Sequence, residues 1–180
     1  WVVVPGNTAI GTSDFLVMKW EAKALDTQTS AVVFDGGANR TDGWAGANDQ
    51  TRYQAVSRAE GRPWVRIAQN HGTEFDAIEA CRAVNIGLTQ AKLIDNKQWM
   101  TMARNAEQVA SNWTNNQVGN GALVRGSSNS ALSLNGGMTL SGINRRTLNL
   151  DNEEIVWDMA RNDWNRTNDS QSTAMNPAGV

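Results

Sequence analysis

An α+β domain, two helices packed on short antiparallel strands with long ordered loops, is what this sequence predicts, and three observations predict it. Apolar runs of strand length open the chain and recur near its end, in Val2-Val3-Val4, Phe15-Leu16-Val17-Met18 and Glu154-Ile155-Val156-Trp157. Two stretches between them repeat apolar residues at helical spacing. The second half is crowded with Asn, Ser and Gly. Asn tolerates left-handed backbone and caps its own turns, so that half should be built from loops. At 180 residues the chain is expected to form a single domain, 1–180. That length buries a sizeable core without disulfide or metal staples.

The first strand is followed by a turn at Pro5-Gly6, and residues 15–22 then read as one strand, largely buried. Residues 35–46 hold Gly36, Gly37, Gly43 and Gly46 and read as a loop. Gly61-Arg62-Pro63-Trp64 marks a further turn, with an extended piece to Ile67. The first helix is expected over residues 73–84, with Thr73 as N-cap and Glu74 and Asp76 in the first turn, where the helix dipole favours them. The second is expected over residues 96–111, capped by Asp95 or Asn96. Trp99, Met102, Ala103, Ala106 and Ala110 lie on one of its faces. Residues 113–144 keep no period and read as ordered loops with short strands. Residues 145–150 and 154–158 read as two strands around a turn at Asp151-Asn152.

Composition excludes several function classes. Sixteen Lys and Arg against eighteen Asp and Glu leave a net charge of −2, and no basic run stands out. Nothing here tracks a phosphate backbone, so nucleic acid is not an expected partner. No apolar stretch reaches membrane-spanning length. Val2-Val3-Val4 is too short for a signal peptide. The chain opens at Trp1, which leaves a removed export segment and the localisation open, with a cell surface or a virion as the candidates. Cys81 is the only cysteine, so no intrachain disulfide can form, and its helical context reads as that of a small buried hydrophobe.

Catalytic groupings are sparse. His71 is the only histidine, so neither a zinc site of several imidazoles nor an established triad is expected. No serine stands in a nucleophile elbow, and Gly119-Asn120-Gly121 lacks the spacing of a phosphate loop. Asp26, Asp35, Asp42 and Asp49 and the pair Glu153-Glu154 match no calcium loop. No catalytic residue, metal or cofactor is therefore expected. What remains is residues 157–176, where a tryptophan stands among short polar groups and two arginines. Trp and Arg supply most strong interface contacts, and Asn and Ser supply adaptable hydrogen bonds. Arg161, Asp163, Trp164, Asn165, Arg166 and Asn168 are the candidate ligand-binding residues.

The order of segments resembles the formylglycine-generating-enzyme-like branch of the C-type lectin fold. The resemblance is carried by residues 15–24, Gly61-Arg62-Pro63-Trp64-Val65, the helix around Cys81 and Trp99-Met100-Thr101-Met102-Ala103-Arg104-Asn105. It continues through Asn112-Trp113, residues 119–126 and Asn144-Arg145-Arg146-Thr147-Leu148. Ile155-Val156-Trp157-Asp158-Met159-Ala160 then stands where that branch leads into a Gly-Asn-Val-Trp-Glu-Trp signature. Asn162 and Trp164 are kept. Arg161 replaces the glycine, Asp163 the valine, Asn165 the glutamate and Arg166 the last tryptophan. The paired catalytic cysteines of the enzyme are missing, which argues against formylglycine synthesis.

A second group with this fold is similar in a different way: the variable proteins of diversity-generating retroelements. These are diversified by adenine-directed mutagenesis, typically of asparagine codons. Such mutagenesis reaches Arg, Asp, Ser and Thr but never Trp, and a Trp codon holds no adenine to mutate. The departures Arg161, Asp163, Asn165 and Arg166 are all reachable that way, while Trp164 is kept. The resemblance implies a C-type-lectin-like scaffold whose segment 157–176 varies to bind a protein or glycan ligand, with Trp157 and Met159 beneath it. Two other readings stay open: a structural or adhesion subunit of a virion or cell surface, and a degenerate formylglycine-generating-enzyme-like protein.

Overall fold

The computed structural model describes residues 1–32, 52–60, 64, 77–124 and 145–159. The loop expected at 35–46, the extended piece to Ile67, His71 and Thr73 lie outside the described residues, as do residues 125–144. Within them the architecture is α+β, with two helices and small antiparallel sheets.

β1 (Val2–Val4) pairs antiparallel with β2 (Phe15–Val17), Val3 opposite Leu16. The pleat buries Val2 and Val4 and turns Val3 and Leu16 outward. The chain reverses between them around Asn7, whose carbonyl accepts from the backbones of Ile10, Gly11 and Thr12. Gly6 is required there, because a Cβ at that position would stand 2.6 Å from the Thr12 carbonyl oxygen. The predicted strand over 15–22 is broken in two. β2 stops at Val17, Trp20 makes an isolated parallel bridge to Trp157, and a new strand begins at Lys23. That strand, β3 (Lys23–Asp26), lies between β4 (Ala31–Val32) and β5 (Tyr53–Val56), antiparallel to both.

α1 (Ala77–Arg82) ends two residues before the expected limit, and a short hairpin of β6 (Asn85–Ile86) and β7 (Thr89–Gln90) follows. Gly87 turns that hairpin at φ +61°, a backbone setting that an L side chain resists. α2 (Asn96–Glu107) is capped by Asp95 in a reciprocal capping box with Gln98, which resolves the choice between Asp95 and Asn96. The helix stops at Glu107, earlier than the expected residue 111, and Ala110–Asn112 form a separate 3₁₀ turn. Ala110 is therefore not on the helix face, whereas Thr101, absent from the expected face, is buried and shares a 2.8 Å hydrogen bond with Thr12.

β8 (Thr147–Asn149) and β9 (Ile155–Trp157) form the expected hairpin around Asp151-Asn152. The main core joins this hairpin to the amino-terminal ribbon and α2: Val2 and Val4 meet Met102 and Ala106, which meet Leu148 and Val156. α1 holds a satellite cluster instead, Ala80 packed against Ala77 and Trp64. No helix among the described residues is long and apolar enough to cross a membrane.

Candidate functional site

The described chain reaches Met159, two residues short of the first candidate binding residue. Arg161, Asp163, Trp164, Asn165, Arg166 and Asn168 all lie outside the described residues. What the structure does describe is the ground from which that segment departs.

That ground is anchored by an ion pair. The β8–β9 register sets Thr147 opposite Trp157, which makes Arg146 and Asp158 the next pair across. Arg146 donates through Nε to Asp158 Oδ1 at 2.8 Å and through Nη2 to Oδ2 at 2.5 Å. Both are sealed, at 1% and 0% exposure. The Asp158 backbone N–H donates to the Arg146 carbonyl at 2.7 Å, and the residue sits at φ +61°. Short polar residues tolerate this left-handed setting, and it ends β9 by turning the chain out of the pleat. On the other side of β9, the Trp157 N–H donates to the Lys19 carbonyl at 2.9 Å. The Trp20 and Trp157 rings stand 6.2 Å apart, tilted by 41°, and the Arg146 guanidinium lies 5.4 Å from the Trp157 ring centre. Trp157 is thus clamped between an indole and a cation.

Lys23 completes the cluster. It is wholly buried at the start of β3, and its Nζ meets no hydrogen-bond acceptor among the described residues. Burial pushes its amine below the usual 10.5; Asp158 and Glu21 act against that shift, Arg146 adds to it, and Glu60 opposes it weakly. A lysine whose folded value is lowered is penalised in full while it stays charged. As pH rises through that folded value the penalty lifts, until the unfolded chain also loses its proton near 10.5. Stability should therefore climb with pH over this window in low-salt buffer. Lys23→Met, which removes the titrating group, should flatten the climb. Urea denaturation midpoints of the two proteins at several alkaline pH values test this, and parallel curves would remove Lys23 as the cause.

Beside the cluster opens a cleft of about 830 Å³, between the amino-terminal ribbon and the 77–94 region. Trp64, Trp99 and Trp157 line it with Phe15, Ala80 and Met159. It exists because α1 packs on its own small cluster and not on the main core. Trp157 and Met159, expected beneath the binding segment, are half-buried members of its wall. Cys81 lines it as well, half-buried where the sequence suggested a buried residue. Its volume falls in the range of ligand-sized clefts, and its lining is mostly apolar. Among the described residues no group of three or more His, Cys, Asp or Glu could hold a metal ion.

Sequence reasoning missed both the cleft and the charge cluster. The ion pair had a signal: an arginine and an aspartate equidistant from a recognised hairpin turn, each next to apolar strand residues. Lys23 had none, since a lysine in a short strand reads as a solvated residue. The cleft depends on how distant segments pack, which no local pattern encodes.

Comparison with known proteins adds no relative: no family model, no curated protein and no solved structure matches this chain.

Proposed function

We propose that this chain is a non-catalytic ligand-binding protein with a C-type-lectin-like scaffold, whose segment 157–176 forms a surface diversified by retroelement-directed mutagenesis. The ligand is a protein or a glycan. The observation that carries the reading is the sealed Arg146–Asp158 pair at the root of that segment. A surface can be varied at little cost to folding only if the chain beneath it is held independently of the varied side chains. Here the last described residues are held by β8, by Trp20 and by Arg146, all contributed from upstream of Arg161. The substitutions at Arg161, Asp163, Asn165 and Arg166 around a retained Trp164 support the same reading from the sequence side.

Sequencing this gene across many individual cells or particles of its source population tests it. Variation should concentrate at Arg161, Asp163, Asn165, Arg166 and Asn168, in asparagine-type codons, with Trp157, Asp158 and Trp164 constant. Uniform sequence there, or variation spread evenly along the chain, would sink the proposal.

A further inference from the structure

Four side-chain nitrogens around β9 are shut off from water. Trp20 Nε1, Lys23 Nζ, Arg146 Nη1 and Trp157 Nε1 are all enclosed, and none meets a hydrogen-bond acceptor among the described residues. They belong to one neighbourhood. The two indoles lie 6.2 Å apart, Arg146 lies over Trp157, and Lys23 feels the charges of both Asp158 and Arg146. All four are donors, and among the described residues no buried side-chain oxygen is left in the same condition. Each enclosed donor without a partner forfeits its solvation, and four together would rival the stability of an ordinary domain. The partner they lack among the described residues is therefore an acceptor.

Charge points the same way. The sealed side chains of the cluster carry two cations, Lys23 and Arg146, against one carboxylate. Both oxygens of that carboxylate, on Asp158, already receive Arg146. Glu21 and Glu60 are only half-buried and keep contact with water. A buried cation without a counter-charge is costly enough to draw one in.

We propose that Lys23, Arg146, Trp20 and Trp157 bind a small monovalent anion of chloride's chemistry. A halide accepts several N–H bonds and donates none, matching a set made only of donors. A water molecule must also donate twice, and the cluster's one carboxylate is already engaged. An organic anion does not suit the site, because Lys23 and Arg146 are enclosed almost completely and leave its body no route to solvent. The site is separate from the variable segment and does not depend on the reading given above. Its position beside Asp158 makes the ion part of what holds the end of β9. Anion and proton should also bind together, since the ion offsets the burial that lowers the Lys23 amine.

Thermal unfolding of the intact protein in sodium chloride and in sodium methanesulfonate, at equal ionic strength and neutral pH, tests the site. Methanesulfonate has the same charge but is too large to enter. At a chloride concentration about tenfold above its dissociation constant, the midpoint should rise by roughly 3–6 °C over methanesulfonate. The rise should shrink as pH climbs through the lowered Lys23 value, below the usual 10.5, where the folded chain loses that charge. The chloride magnetic resonance line should broaden with folded protein and sharpen on unfolding. Lys23→Met should abolish the salt difference. If that variant does not fold, Trp20→Phe, which deletes one donor and keeps the ring packing, should weaken chloride binding severalfold. Equal midpoints in the two salts would overturn the proposal and assign the donors to buried water. A chloride effect of unchanged size in both variants would overturn it too, by placing the ion elsewhere on the surface.

Discussion

Asp158→Ala should destabilise the fold by about 3–5 kcal/mol, the usual cost of stranding one partner of a buried ion pair. Arg146 would keep its charge at 1% exposure with neither of its two carboxylate bonds. The residue also holds a left-handed backbone, φ +61°, which Asp tolerates better than Ala. For a chain of this length the loss should lower the thermal midpoint by roughly 6–20 °C. Urea denaturation gives the direct reading, with the slope unchanged and the midpoint shifted. The double variant Arg146→Met with Asp158→Leu should recover part of the loss, since it removes the stranded guanidinium and leaves Lys23 as the cluster's sealed cation. A loss below about 1 kcal/mol for Asp158→Ala would mean that Arg146 reaches water, as exposed pairs do. Because this pair ends β9, the same variant should also release the chain that follows it. Hydrogen exchange at the Trp157 amide, which donates to the Lys19 carbonyl, is the local measure.

Asn112→Ala should be nearly as costly, at about 3 kcal/mol or more, because one side chain serves four partners. Asn112 is wholly buried. Its Nδ2 donates to the carbonyls of Ala106 at 2.8 Å and Asn149 at 2.7 Å, and its Oδ1 accepts from the Asn149 N–H at 2.9 Å and Arg145 Nη2 at 3.1 Å. This residue joins the last turn of α2 to β8, and alanine would strip the Asn149 N–H and carbonyl of their partner and leave the Ala106 carbonyl only its bonds from Gln108 and Val109. Asn112→Asp should fail as badly, since an oxygen in place of Nδ2 would face two carbonyl oxygens. The control is Asn149→Ala, whose side chain makes an exposed bond to Ser111 and whose backbone bonds survive. Its effect should stay within about 0.5 kcal/mol, as for ordinary surface changes. Comparable losses for Asn112→Ala and Asn149→Ala would show that the junction is held by something other than Asn112.

These two residues also mark where local signals stopped being informative. Helical periodicity continued past Glu107, and the sequence offered no glycine or proline to end it. The helix ends there because side chains from beyond it take its final carbonyls. Trp113 Nε1 donates to the Glu107 carbonyl at 2.9 Å, and Asn112 takes that of Ala106. Likewise residues 15–22 alternate and bulk like a single strand. Trp20 is drawn instead to Trp157, and the chain passes from one small sheet to another. In both places long-range partners outweighed a propensity worth only tenths of a kcal/mol per residue.

What the sequence determined by itself is whatever depends on neighbours along the chain. The α+β class, a cap at Asp95 or Asn96, the buried face of Met102 and Ala106, and the β8–β9 hairpin around Asp151-Asn152 follow from periods and turn chemistry within a dozen residues. Tertiary structure alone decided that Lys23 and Arg146 are buried beside one carboxylate, that Asn112 ties α2 to β8, and that a cleft separates α1 from the main core. Burial and pairing are properties of places to which distant segments must come. A charged side chain carries the same letter whether water or another residue solvates it.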